Sequence, residues 1–450
     1  MRQSTVVITG IGIVSSIGTG GDAYFDSLLA ARSGIQSLAA RTDDGVKPNG
    51  AADPAGLWIG APIVDFDPKP FVRPRKALKV MCREIQTAYV ASQLAIKEAD
   101  LESVFPCDPE GTITPDRVGT VFGSEMLYGP PREMIDTFND STNERGEFDD
   151  SRFGQAAMRG ITPLWMLKYL PNMPACHVGI AINAHGPNNS LILGDVSGPA
   201  AMMESNSCIE RGIADVMICG STGTRINTTR LVYRNDLPIA SVADPAAQSS
   251  RPHDPASAGV IGGEGASSLV LESAEHADRR GAKVIAVIAG AANRFIASQA
   301  IRNGRRSAQS KPQHARGSAD AIASAIQAAI DQAHKRFGLS ASDVGAVVSH
   351  GMGDTDTDGA EQAAVRRVLP GVAMVAPIAS IGYTGAASGG IAMATAGLML
   401  SRRTIPPTLN ANRAMGVNLL SCSQPLSKPC VVCLAHTAEG SATAVVLTAS

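Results

Sequence analysis

The segment GPNNSLILGDVSGPAAMMES carries the chain's clearest chemical signal. It reads as a short buried apolar strand over residues 190–193, a tight Gly194-Asp195 turn and a helix running toward Arg211. A side chain on such a strand-to-helix elbow is pushed into a pocket with the positive end of a helix dipole behind it. That is a place for a nucleophile, and the residue there is Asp195. Three roles fit its carboxylate: a helix N-cap, a group that shapes or blocks a pocket, and an acid/base group. His350 stands next to a glycine and before an acid-rich stretch containing Asp354, Asp356 and Asp358. The alternating aspartates look like part of a calcium loop but lack its distal glutamate, so a solvated loop is expected. Cys430 and Cys433 have the CxxC spacing inside an apolar run with no second ligand pair, which fits strand cysteines. His177 and His185 fit core or interface positions. The basic residues 302–316 could dock an acidic protein or form a solvated loop.

The elements that must position these groups alternate strand and helix. Apolar strands are expected at the N-terminus (VVITGIG) and over 117–123, 214–220, 284–289, 344–349, 430–434 and 443–447, with another ending in SLVLE. Helical spacing occupies 21–31, 76–99, 162–170 and 319–336. Residues 41–70 read as surface, 125–155 as a polar loop forming a lid or interface insertion, and 274–283 as a charged connector. The order restarts near residue 275, and GYTGAASGGIAMAT resembles a second copy of the elbow GDVSGPAAMMESNS, which suggests duplicated halves 1–275 and 276–450.

At 450 residues, with 44% hydrophobic and 18% charged residues, the chain can build a large α/β core. Aromatics at 4% and a formal charge of −2 argue against nucleic acid and anionic membranes as partners. No apolar run reaches membrane-spanning length and no secretory signal layout opens the chain, so a cytoplasmic, reducing setting is expected for the eight scattered cysteines.

In order, the phrases TGIGIVSSIG, LPNMPACHVGIAINAHGPN, SRPHDPASAGVIGGEGASSLVLE, SHGMGDTDTDGAE, GYTGAASGG and IPPTLN resemble the β-ketoacyl-acyl carrier protein synthases, the thiolase-fold condensing enzymes of fatty-acid and polyketide synthesis. The resemblance spans essentially the whole chain. It implies an α/β, thiolase-like five-layer α-β-α-β-α sandwich of two pseudo-twofold-related halves and a dimer formed across strands beside the elbow. It also implies substrates carried on the phosphopantetheine arm of an acyl carrier protein, with no bound cofactor or metal. The family's chemistry uses an elbow cysteine and two histidines. Matched position by position, the cysteine falls on Asp195, the first histidine on His350 and the second on Tyr383. The family's lysine falls on Ile378, its phosphopantetheine-holding threonine on Met352, and its terminal glycine-rich segment near Glu439-Gly440. A carboxylate at a helix N-terminus is a poor nucleophile. The resemblance therefore implies a chain-length-factor type subunit that pairs with a catalytic ketosynthase and does not condense alone. The alternatives are a homodimer with a purely structural role and a stand-alone thioester-processing enzyme (decarboxylase, hydrolase or acyltransferase) using Asp195, His350 and Tyr383.

Overall fold

A computed structural model describes residues 4–38, 59–130, 133–227, 240, 245–297, 319–411 and 416–450. Ten strands and six helices build the frame. The first half runs β1 (Val6–Ser15), α1 (Arg83–Glu98), β2 (Val118–Gly123), α2 (Met173–Ile182), β3 (Asn188–Leu191), α3 (Ser197–Glu210), β4 (Val216–Thr224) and β5 (Glu264–Ser273). The second repeats that order: β6 (Ala286–Phe295), α4 (Ala319–Phe337), β7 (Val344–Val348), α5 (Thr355–Val368), β8 (Ala373–Val375), α6 (Ser388–Arg402), β9 (Cys430–His436) and β10 (Ser441–Thr448).

Sheet pairing repeats as well. The first half orders its strands β3-β2-β4-β5-β1 and the second β8-β7-β9-β10-β6, five added to each number. In each half the first three strands pair in parallel and the next two pairings are antiparallel, so one strand, β5 or β10, runs against the other four. β1 and β6 join the halves through Val7↔Val287 and Ile8↔Ala286. A sequence that writes the same strand–helix pattern twice builds the same sheet twice, because right-handed crossovers leave little choice of topology.

Helices α3 and α6 contact each other and strands of both halves, so they form the middle layer. Helices α1 and α2 cover one outer face, α4 and α5 the other. The result is the five-layer sandwich expected from the resemblance. The middle helices touch where side chains are missing. A Cβ on Gly198 would lie 2.8 Å from the Gly390 nitrogen, and one on Gly389 2.5 Å from Pro199.

Several local expectations are corrected. The helix expected over 76–99 is split: a 3-10 segment Arg75–Val80 precedes an extended Met81, whose side chain enters the core, and α1 starts at Arg83. The loop expected over 125–155 holds helices Ile135–Asp140 and Asp150–Gly160, the latter capped by Asp149. The helix expected over 162–170 is the 3-10 turn Trp165–Tyr169, where Trp165, Lys168 and Tyr169 all donate to Glu133. Within the connector after β5, Ala274–Arg279 is helical and Ser273 caps it. The strand before the elbow is not buried. β3 lies at a sheet edge, exposed to half-buried, with Ile192 and Leu193 exposed beyond it.

Cys430 and Cys433 are buried in β9, and all eight cysteines are unpaired. Among the described residues no helix is long and apolar enough to cross a membrane, and no cluster of three or more His, Cys, Asp or Glu could hold a metal ion. The basic segment 302–316 lies outside the described residues.

Candidate active site

The parallel strands of both halves release their chains at one end of the sheet, and the charged and polar groups of the centre gather there, as in other open α/β folds. Glu125 follows β2, Asp195 follows β3 and Arg225 follows β4. His350 follows β7, Tyr383 follows β8, and His436 ends β9.

The first elbow is a 3-10 turn, Gly194–Val196, leading into α3. Gly194 takes φ +64°, a left-handed conformation that suits glycine. Ser197 braces the turn: its Oγ accepts from the Leu193 N–H at 2.8 Å and donates to the Gly194 carbonyl at 2.6 Å. Asp195 makes no capping bond, so its N-cap reading is overturned. With Ser197 holding the turn, its carboxylate is free to point inward.

There the Tyr383 hydroxyl donates to Asp195 Oδ1 at 2.5 Å, and His350 Nε2 lies 3.5 Å from Oδ2, an ion-pair contact longer than a good hydrogen bond. The structure thus brings together Asp195, His350 and Tyr383, which are 33 to 188 positions apart in the chain. All three are buried. Burial by itself would push the Asp195 pKa up. The His350 contact and charge, the Arg225 charge and the Tyr383 hydroxyl outweigh it and pull the pKa down to about 2. Tyr383 moves the other way, well above the usual phenol range, through burial and the neighbouring Asp195 charge. Tyr383 is therefore a hydrogen-bond donor to a permanent anion. It is not a base near neutral pH.

Two participants were not singled out in the sequence. Arg225 is buried, pairs with Glu125 Oε2 at 2.6 Å and sits 5.3 Å from the centre of the Tyr383 ring. Burial disfavours its charge, yet Glu125, Tyr383 and Asp195 hold its pKa above the ordinary arginine value. His436 packs edge-on against His350, ring centres 4.9 Å apart, with Nε2 2.8 Å from Glu361 Oε2. The available signal was local: in both cases a charged or titratable residue comes at the carboxyl end of an otherwise apolar strand (VMICGSTGTR and CVVCLAH).

Three positions where the family's polar groups are replaced pack together. Met352, Ile378 and Tyr383 form one buried cluster with Val260, so apolar side chains surround the tyrosine that meets Asp195. The acid-rich stretch after His350 is not a solvated loop. Asp354 caps α5 through the Thr357 N–H, and buried Asp358 accepts from the N–H groups of His253, Met352 and Gly353. These bonds satisfy the carboxylates and pin the backbone that carries His350. His185 is exposed and bonds Asn183, while His177 is half-buried.

The beta-ketoacyl synthase N-terminal domain model matches residues 3–277, and the C-terminal domain model matches residues 296–412. A putative polyketide beta-ketoacyl synthase 1 of Streptomyces cyaneus is 29% identical over 413 residues, covering 90% of this chain and 87% of the relative. The ishigamide ketosynthase/chain length factor structure superposes with a TM-score of 0.77 at 20% identity, covering 100% of both chains. A type II PKS acyl-carrier protein in complex with its ketosynthase gives 0.77 at 18% identity, again over 100% of both. With matched domains over both halves of a doubled thiolase-like fold, the chain belongs to the beta-ketoacyl synthase family.

Proposed function

We propose that this chain is a chain-length-factor type subunit that pairs with a cysteine-bearing ketosynthase in polyketide or fatty-acid synthesis and does not condense acyl groups alone. One observation carries the reading: the elbow position that needs a thiolate holds the anion of Asp195, already engaged by Tyr383 and His350. Condensation needs a nucleophile to take the acyl group and a polarised malonyl thioester beside it. A fixed carboxylate gives a poor nucleophile and repels the malonyl carboxylate. The Met352–Ile378–Tyr383 cluster further supports a site that excludes the substrate arm.

The partner's seat in this reading is the edge strand β3. Unpaired backbone along an edge invites strand addition, and exposed Ile180, Ile192 and Leu193 flank it. An acyl carrier protein is the second partner. Lys69, Arg73, Arg75, Lys76 and Lys79 are exposed within residues 69–79, with no acidic residue among them, and suit an acidic surface.

The test is co-expression with cysteine-bearing ketosynthases encoded beside this chain's gene. A heterodimer whose condensing activity depends on this chain is expected. Recovery of the homodimer alone would overturn the reading. A second reading, a stand-alone thioester-processing enzyme, draws on the contact between His350 and Asp195. Turnover of malonyl- or acyl-carrier protein, seen by intact mass and lost in Asp195→Asn, would favour it.

A further inference from the structure

A buried ion pair stands beside the first elbow, and the partner reading gives it no task. Glu125 follows β2 and Arg225 follows β4, and Arg225 Nη1 donates to Glu125 Oε2 at 2.6 Å and to the Thr224 carbonyl at 3.1 Å. Glu125 Oε1 accepts from the Thr224 N–H at 3.3 Å, so backbone as well as charge holds the pair in place. Two glycines make room for it. A Cβ on Gly223 would lie 2.9 Å from Glu125 Oε1, and one on Gly385 2.4 Å from the guanidinium carbon. The guanidinium covers the Tyr383 ring, whose hydroxyl holds Asp195. On the other side, Thr224 and Ile226 line a cleft of about 260 Å³ with Glu84, Tyr128 and Tyr169, while Arg225, between them in the chain, does not. The pair thus stands between that cleft and the elbow. Stability alone does not account for it, because apolar side chains of the same volume hold a buried site at least as well as an ion pair. Arg225 Nη2 also has no hydrogen-bond partner among the described residues, which is a cost for a buried donor.

We infer that the Glu125–Arg225 pair is a plug, filling the space that a long acyl chain carried on the elbow would need. Apolar side chains in that place could shift aside and accept a hydrocarbon. A hydrocarbon that displaced this pair would leave two buried charges without partners or water. The inference rests on reading the first elbow as an acyl site without its thiol, and it deepens that reading by naming what denies the chain an acyl pocket of its own. It does not depend on pairing with a ketosynthase.

The test puts a reporter thiol on the elbow of the full-length chain, Asp195→Cys, and treats the protein with methyl or octyl methanethiosulfonate. The introduced thiol loses its proton to solvent, its sulfur attacks the sulfenyl sulfur, a disulfide to the alkyl group forms and methanesulfinate leaves. Peptide mass mapping reads the adduct at position 195, with exposed Cys422 as the internal reference for each reagent. In Asp195→Cys the octyl reagent should react about tenfold more slowly than the methyl reagent, the scale of one overpacking penalty. Adding Glu125→Ala and Arg225→Ala should remove most of that difference. Equal rates in Asp195→Cys, or a difference that survives removal of the pair, would overturn the inference. Should the triple variant fail to fold, Asp195→Cys with Glu125→Leu and Arg225→Val, which keeps apolar packing but vacates the guanidinium's space, decides it in the same way. Failure to recover a ketosynthase partner would leave these rates untouched, so the two readings fail separately.

Discussion

The two elbows of this molecule share a backbone and differ in what they hold. Gly194 and Gly385 both take φ +64°, each opens a 3-10 turn, and each turn runs into a middle-layer helix, α3 or α6. Ser388 braces the second turn as Ser197 braces the first, accepting from the Thr384 N–H at 3.2 Å. At the next position the first elbow presents Asp195 and the second Ala386, which is simply core. The surroundings differ too. The first follows an edge strand with exposed flanks, while every residue of the second is buried. The turn is thus a structural device of the repeat. The buried carboxylate stands on one copy only, the copy that follows the exposed strand.

Adding a methyl group at each glycine should separate these roles. A Cβ on Gly385 would lie 2.4 Å from the Arg225 guanidinium carbon, whereas at Gly194 the nearest atom is 3.6 Å away. Gly385→Ala adds displacement of the buried Arg225–Glu125 pair to the left-handed strain, so a loss of about 3–5 kcal/mol is expected in urea unfolding. Gly194→Ala should lose about 1–2 kcal/mol, from strain alone. Equal losses would mean that the two elbows are not packed as differently as described.

Making the first elbow like the second, Asp195→Ala, leaves the Tyr383 hydroxyl buried without an acceptor and should cost about 1–3 kcal/mol at pH 7. Part of that difference is pH-dependent. The folded pKa of Asp195, about 2, lies below its ordinary value, so the ionised group stabilises the fold above pH 4. That contribution is lost as the pH falls from about 4 through 2, and the gap between wild type and Asp195→Asn should shrink by about 2 kcal/mol over that window. Acid titrations of both proteins followed by circular dichroism check it; a constant gap would place the stabilisation elsewhere.

The smallest effect is expected from restoring the thiol. Asp195→Cys gains a thiolate favoured by the helix N-terminus, but Tyr383, backed by Ile378 and Met352, still occupies the adjoining space. Condensation by the isolated chain should stay undetectable in a radiolabelled malonyl assay. Activity in this single variant would show that the remaining pocket is open and competent.

The sequence alone determined the repeat, the elbows and the missing nucleophile. The first two rest on local rules, period-two and period-3.6 apolar spacing and glycine at a left-handed turn, and the third on the resemblance, which matches a cysteine to Asp195. It did not determine the role of Asp195, because capping and inward pointing demand the same residue type. The fold decided it by giving the brace to Ser197 and bringing Tyr383 across from the second half. The exposure of β3 was also out of reach, since a short apolar run reads alike whether its strand is central or at an edge. Arg225 and His436 lay hidden for a related reason. A single polar residue after an apolar strand reads as the start of a loop, and only the convergence of strand ends from both halves makes it part of a buried centre.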